Sequence, residues 1–573
     1  MNRREFLQFI AAAYLLGART GLNADELINY HIPFKSDLRL LHITDTHAQL
    51  EPNYFREPNI NLGTGLNKNK VPHIVGNKFL DYYSLDGDFN KYLYTFINFN
   101  NLAHKYGKFG GYAYLKTAID KLKHEANGNS LLLDGGDTWQ GSAISLFESG
   151  IDMVEASNLL EVDVMTGHWE FTFGEEQFLD NIKAFNGEFV ANNIFLNDEA
   201  IFNDVHSYDD DDHFTKPYTI KSINNRRIAI IGQAFPYTPI ANPSRYVKNL
   251  TFGIREQELQ ETINKIKNTE KTDLIILLSH NGVDVDKKMA QRVNGIDIIL
   301  GGHTHDAMPE PIVVENSHST LVINSGCNGK FISMVDIKFH GKSYTYEYKL
   351  IPIVSNYLSP NLEMQKFIET VSAPYNTMLN EEIGMTDDSL FRRSNFNGTF
   401  DDLLCDSMNE VLDTQISLSP GFRWGPSLTK NQSILMKDIY NHTAITYPNT
   451  YVREMSGETI KNILEDVADN IFNTDPYMQQ GGDMVRTRGI KYTITPSNNI
   501  NNRINKLRLN NNIEILPNKI YKVSGWASVN NIESGKPIWD VTKAYLKSIG
   551  TYNVDKSSHI HIDLENDNIG IET

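Results

Sequence analysis

Five apolar runs in the amino-terminal part of this chain each end on side chains that bind metal ions. Asp45 and His47 follow Leu38–Thr44, Asp137 follows Leu131–Leu133, and His168 follows Val162–Thr166. His280 follows Leu274–Leu278, and His303 with His305 follows Ile296–Leu300. The runs read as β-strands. Strands that release carboxylates and imidazoles at one end of a sheet build a metal site, because ligands of open α/β folds collect at the carboxyl ends of strands. The spacing of two within Asp45/His47 and His303/His305 predicts that each pair lies on one face of extended chain. Seven ligands exceed the needs of one ion and suit two. Two neighbouring metals are a device for in-line displacement at phosphorus or sulfur, so the pattern predicts a dinuclear metallohydrolase.

From Leu38 to about Phe339, apolar runs alternate with amphipathic stretches. Leu115, Ala118, Ile119 and Leu122 form one helical stripe, and Leu259, Ile263 and Ile266 form another within Glu256–Lys267. Such alternation predicts an α/β sheet flanked by helices. The segment Glu51–Lys108 is rich in Asn and aromatics without a clear period, and reads as a long insertion near the strand ends. Long structureless segments of this kind often serve as lids or binding loops. A helix is expected from Ser359-Pro360 through Leu379, kinked at Pro374. At 573 residues, at least two domains are expected. The expected boundaries are 36–355 for the metal-bearing domain, 359–380 for a connector, and 381–573 for a second domain of mixed helices and strands.

The net charge of −18 argues against nucleic acid as the main partner. Asp209–Asp212 reads as a loop. Cys327 and Cys405 are the only cysteines and make no disulfide framework; Cys327 reads as a small residue in a turn. His42, His73 and His104 receive no role. At the start of the chain, Arg3-Arg4 followed by Phe6-Leu7 resembles a twin-arginine export signal over residues 1–24. Its apolar run, Phe9–Gly17, is too short to span a bilayer. A periplasmic protein with no membrane association is expected.

The ligands sit in five short blocks. They are Leu41-His-Ile-Thr-Asp-Thr-His-Ala, Leu133-Asp-Gly-Gly-Asp-Thr, Thr166-Gly-His-Trp-Glu, Ser279-His-Asn-Gly and Gly301-Gly-His-Thr-His. Each alone is weak, but together and in this order they resemble the calcineurin-like metallophosphoesterases, and the two-domain layout resembles their 5′-nucleotidase branch. The resemblance implies a metallophosphoesterase β-sandwich flanked by helices, followed by an α+β nucleotidase-type carboxyl-terminal domain with the active site between them. It implies that Asp45, His47 and His305 hold one metal, His168, His280 and His303 the other, and that Asp137 bridges. The family points to manganese, although imidazole and carboxylate also accept zinc or iron.

One departure carries substrate information. The phosphoesterases have Gly-Asn-His-Glu in the third block, where Asn binds metal and His assists the reaction. Here the block is Gly167-His168-Trp169-Glu170. His168 remains a competent ligand, but Trp169 cannot exchange a proton. An alkoxide leaving group benefits from such help, whereas thiols ionise near pH ~8.5 and leave as far weaker bases.

Gly-His-Trp-Glu and the Tyr54-Phe-Arg-Glu-Pro insertion resemble the SoxB thiosulfohydrolases of bacterial sulfur oxidation. So do three segments of the second domain: Ser419-Pro-Gly-Phe-Arg-Trp-Gly, Asp475-Pro-Tyr-Met-Gln-Gln-Gly-Gly-Asp-Met and Ser524-Gly-Trp-Ala-Ser. This resemblance implies hydrolysis, by a dinuclear metal-bound hydroxide, of the terminal sulfonate of a thiosulfonate carried on a cysteine of a SoxYZ-type carrier, releasing sulfate. It implies catalytic roles for Arg423, Asp137 and His168, and substrate contacts from Arg423, Trp169, Tyr477, Gln480, Gly482 and Asp483. A groove rather than a deep nucleoside pocket is expected. The alternatives are a periplasmic 5′-nucleotidase or related phosphoesterase, and a metal-dependent binding protein without activity.

Overall fold

The structure, a computed structural model, describes residues 28–564 and 567–572; the expected export signal lies outside them. Its amino-terminal domain is built on two six-stranded sheets. The first runs Ser343–Pro352, Phe331–His340, Leu38–Ile43, Ser130–Asp134, Val164–Met165, Glu188–Phe189, with the last four strands parallel. The second runs Ile312–Glu315, Ser319–Asn324, Ile298–Gly301, Leu274–Ser279, Arg226–Gln233, Tyr218–Ile223, with its four central strands parallel.

The sheets pack face to face. Leu38, Leu40, Leu131, Leu133 and Val164 of the first meet Ile228, Ile230, Leu274, Ile276, Leu278, Ile298 and Leu300 of the second. Alternate residues turn outward, as the period of two requires. Leu41, Ile43 and Leu132 pack on Leu115, Ala118, Ile119 and Leu122 of helix Tyr112–Ala126. Ile231, Ile275, Leu277 and Ile299 pack on Leu259, Ile263 and Ile266 of helix Glu256–Thr269. Burial on both faces is why the central strands read as nearly unbroken apolar runs. Arg39 is an exception within the first of them, and its guanidinium reaches Asp336 through two 2.7 Å bonds.

The insertion is not structureless. It carries three eight-residue helices, Gly76–Tyr83, Gly87–Tyr94 and Phe99–Tyr106, whose buried faces include Phe79, Tyr83, Phe89, Tyr92, Phe99 and Tyr106. Helices this short give too few turns for a periodic signal to stand out. Arg56 anchors the insertion to the second domain, its guanidinium 3.9 Å from the Phe391 ring centroid. The last described residues clasp it from the other side. Asn61 N donates to Gly570 O (2.8 Å), Val75 N to Ile569 O (3.1 Å), and Asn77 N to Glu572 Oε2 (2.7 Å).

The expected connector is two helices, Leu362–Ser372 and Asn376–Leu379, separated around Pro374. Pro374 therefore breaks the helix outright, which follows from its missing N–H and its clash with the preceding turn. Beyond it, a sheet of Thr450–Ser456, Ile520–Trp526, Ile416–Ser419 and Arg486–Arg488 organises the second domain, with helices Thr399–Val411, Gly457–Phe472 and Ile538–Ile549. Among the described residues, no helix is long and apolar enough to cross a membrane.

The inter-sheet layer should dominate stability. Ile276→Ala is expected to cost about 2–5 kcal/mol in denaturant unfolding. The same change at the exposed Ile513 should cost less than about 0.5 kcal/mol.

Candidate metal centre

Both sheets aim the carboxyl ends of their parallel strands at one place. The loops after Ile43, Asp134, Met165, Ser279 and Gly301 deliver their side chains into two groups, each with ligand atoms within 4.8 Å of one another. One group is Asp137, His168, His280 and His303, and the other is Asp45, His47, Asp137 and His305. All seven residues are buried.

Asp137 belongs to both groups. Its Oδ2 lies 3.0 Å from His280 Nε2, 3.3 Å from His168 Nδ1 and 3.8 Å from His47 Nε2. Its Oδ1 accepts a 2.8 Å bond from the Trp169 backbone N–H. In the second group His47 Nε2 and His305 Nε2 are 3.1 Å apart, and His305 Nε2 is 3.2 Å from Asp45 Oδ1.

The convergence does not arise as the spacing suggested. Asp45, His47, Asp137, His303 and His305 all have left-handed backbone, with φ of 52°, 47°, 56°, 72° and 59°. Each pair therefore leaves a tight turn rather than one face of extended chain. The turns hold one another: Asp45 N donates to Gly136 O and His47 N to Asp137 O, both at 2.8 Å. Gly302 is required by close approach, because a Cβ there would stand 2.3 Å from Thr44 Oγ1 and 3.0 Å from His280 Nδ1.

The donor set fits two divalent cations. Burial pushes His47 down to about 4 and also lowers His168, His303 and His305, leaving neutral imidazoles with free lone pairs. His47, His168, His280, His303 and His305 each bury a ring nitrogen without a hydrogen-bond partner, and the difference at His280 is one of charge. His280 differs. Burial opposes its protonation, but the Asp137 and Asp45 carboxylates outweigh that and hold it up to about 10. Its Nδ1 is fixed by Gly135 O at 2.6 Å, the orienting contact typical of a ligating histidine.

Sequence reading missed Glu170. Buried, it accepts from His168 N (2.7 Å) through Oε2, and from Thr138 N (2.7 Å) and Trp139 N (3.2 Å) through Oε1. It thus pins the Asp137 turn to the His168 turn. Its place in the third block was the available signal. Phe235 was also missed; its ring lies 4.2 Å from that of His168 and 4.1 Å from that of His303.

The second domain closes over the ligands. A cavity of about 60 Å³ beside His303 is lined by Arg393, Arg423, Asn395, Gly481 and Gly482 of that domain, with Asn61, His73, Asn281 and Asp306 from the first. Arg423 Nη2 donates to Gly482 O (2.6 Å) and Nη1 to His303 O (3.2 Å). Arg393 Nη2 donates to Thr304 O (2.7 Å). Arg393 adjoins Arg392 in the sequence without any spacing that would single it out. Gly481, at φ 77°, leaves no room for a side chain, since a Cβ would sit 2.0 Å from His303 Nε2.

Of the other expected substrate contacts, Gly482 lines this cavity, but Tyr477, Gln480, Asp483 and Trp169 do not. Asp483 is a partner of arginines, 3.1 Å from Arg486 and 3.7 Å from both Arg393 and Arg423. An acidic group there restrains guanidinium groups rather than meeting an anion. Tyr477 turns toward helix Val283–Arg292, with Lys288 Nζ 4.0 Å from its ring centroid. Trp169 lies beside His168, its ring edge-on to Phe422 (5.4 Å) and Trp424 (5.0 Å).

Residues 38–307 match the calcineurin-like phosphoesterase family, and residues 382–535 match the 5′-nucleotidase carboxyl-terminal domain. A solved structure of the Thermus thermophilus sulfate thiohydrolase SoxB is 30% identical, with TM-score 0.86, covering 93% of this chain and 98% of that one. The chain belongs to the 5′-nucleotidase branch of the calcineurin-like phosphoesterases. The trifunctional nucleotide phosphoesterase YfkN of Bacillus subtilis is 25% identical over 69% of this chain, and the venom 5′-nucleotidase of Crotalus adamanteus is 27% identical over 48%. The matched parts span 28% and 48% of those two proteins. Membership points to a metal-dependent hydrolase.

Two measurements probe the centre. Metal binding near neutral pH should displace protons, that of His280 among them, read by calorimetry in buffers of different ionisation enthalpy. Glu170→Gln turns an amide N–H₂ toward backbone donors. It is expected to weaken metal retention roughly 10–100-fold in chelator competition.

Proposed function

We propose that the protein hydrolyses the terminal sulfonate of a thiosulfonate carried on a cysteine of a SoxYZ-type partner protein, releasing sulfate. The observation that carries this reading is Trp169. Where the phosphoesterases place a proton-donating histidine, an indole packs on Phe422 and Trp424 and has no proton to transfer to an alkoxide. A sulfur leaving group departs without that proton.

Cavity shape supports the same reading. Phe422 and Trp424 stack on each other with centroids 4.1 Å apart, so no base fits between them. About 60 Å³ suits a sulfonate head, against roughly 300–1,000 Å³ for an ordinary small-molecule pocket. Similarity to the Thermus sulfate thiohydrolase agrees.

Asp45, His47, Asp137, His168, His280, His303 and His305 would hold two divalent cations, for which manganese is our choice. Bound there, the cations supply Lewis acidity and acidify the attacking water. The chain's own contribution is placement. Arg423 and Arg393, restrained by backbone carbonyls and Asp483, present fixed positive charge to sulfonate oxygens; neither buried Nε–H makes a hydrogen bond, and that of Arg423 lies 3.7 Å from Asp483 Oδ1. The water oxygen bonds to the sulfonate sulfur as the sulfur–sulfur bond breaks. Persulfide leaves with the electron pair, and the water protons pass to solvent. Export by the twin-arginine signal to the periplasm completes the reading.

A 5′-nucleotidase activity is the second reading, favoured by relatives named as nucleotide phosphoesterases and 5′-nucleotidases. Incubating manganese-loaded protein with thiosulfonate-charged carrier and, separately, with AMP distinguishes them. Chelator-sensitive sulfate release is expected; phosphate release alone would establish the second reading. Trp169→His should leave metal content unchanged, because Asp137 is held by the backbone N–H of residue 169. Loss of metal would show that its side chain supports the ligands directly.

A further inference from the structure

The insertion contributes its own wall to the cavity, through Asn61 and His73. Asn61 Nδ2 donates to Pro72 O (3.2 Å) and to Asp306 Oδ1 (3.1 Å). Two acceptors fix the amide, so its oxygen faces His73 Nδ1 at 3.1 Å. On the other side of the ring, Nε2 lies 2.9 Å from Asp284 Oδ2, in the first turn of helix Val283–Arg292. Asp306 Oδ1 is in turn 3.4 Å from Arg393 Nη2, the nitrogen that donates to Thr304 O between two ligating histidines. A continuous chain therefore runs Asp284, His73, Asn61, Asp306, Arg393. The next residue adds a parallel tie: Leu62 N donates to Asn395 Oδ1 (2.6 Å), and Asn395 Nδ2 to Asp483 Oδ1 (3.2 Å).

We propose that His73 is a positioning residue for the anion site, acting through Asn61 and Asp306 to set the Arg393 guanidinium. The insertion thereby governs how tightly a tetrahedral oxyanion is held. This rests on the reading that Arg393 and Arg423 receive an anion, and not on which oxyanion is released. A tie that merely fastened the insertion would do none of this, and the difference is measurable.

The test uses the manganese-loaded full chain and inorganic sulfate, followed by calorimetry, with phosphate as a second probe. His73→Ala is expected to weaken anion binding about tenfold with unchanged metal content. His73→Gln, whose amide can still donate to Asn61, should recover most of the loss. Asn61→Ser cuts the same chain with a smaller change and reads it if His73→Ala does not fold. Glu572→Ala loosens the insertion at its other anchor, and should alter affinity by less than about twofold. Unchanged affinity in His73→Ala, or in Asn61→Ser where that variant is read instead, would overturn the proposal, as would an equal loss in Glu572→Ala. If the wild-type protein bound neither anion, the anion-site reading would fall and this inference with it. Silence toward thiosulfonate with these shifts intact would remove only the substrate assignment.

Discussion

A single carboxylate oxygen holds the site together. Asp137 Oδ2 is the atom that both histidine groups approach, and its partner Oδ1 is tied down by the Trp169 backbone. Two of the buried histidines facing this acid, His280 and His168, also explain its charge state. Burial alone would raise Asp137, but the facing imidazoles, His280 foremost, hold it well below the usual carboxylate range. An anion is thus stable in a place from which water is largely excluded, which cations can exploit. The surrounding backbone, with its left-handed turns and cross-loop bonds, serves to keep that oxygen where it is.

The second domain sets fixed positive charge beside the buried cluster. Arg392, Arg393, Arg423 and Arg486 alternate with Asp401, Asp483 and Asp306 in a network that starts in the domain's core and ends beside His303. Buried charges persist only when paired. Here the pairing also fixes the direction in which positive charge is offered. The aromatic cluster of Trp169, Phe422 and Trp424 fills the remaining space, with Trp424 stacked on His47 at 5.6 Å. The arrangement limits the free volume beside the ligands as much as it sets the contacts there.

Much of this was legible in the residues, and the reasons divide cleanly. Leu38–Ile43, Leu274–Ser279 and Ile298–Gly301 are buried on both faces, so apolar runs marked them and their ends marked the ligands. Val164–Met165 is only two residues long, and the flanking apolar residues made it seem longer. The turns at Asp45 and His303 were misread as extended chain because their shape depends on bonds to distant backbone, which no local spacing encodes. The same is true of Glu170 and Arg393, whose roles exist only through partners brought in from other loops. The insertion's helices were hidden because each is shorter than the window that reveals a period.

The clasp formed by residues 569–572 on the insertion sets a timetable for assembly. During synthesis the strands that gather the histidines emerge early and can fold as a unit. The outer bonds of the wall carrying Asn61 form only once residues 569–572 have been made, since Gly570, Ile569 and Glu572 supply them. Assembly of the ligand groups and fastening of the insertion's outer edge are therefore separate events.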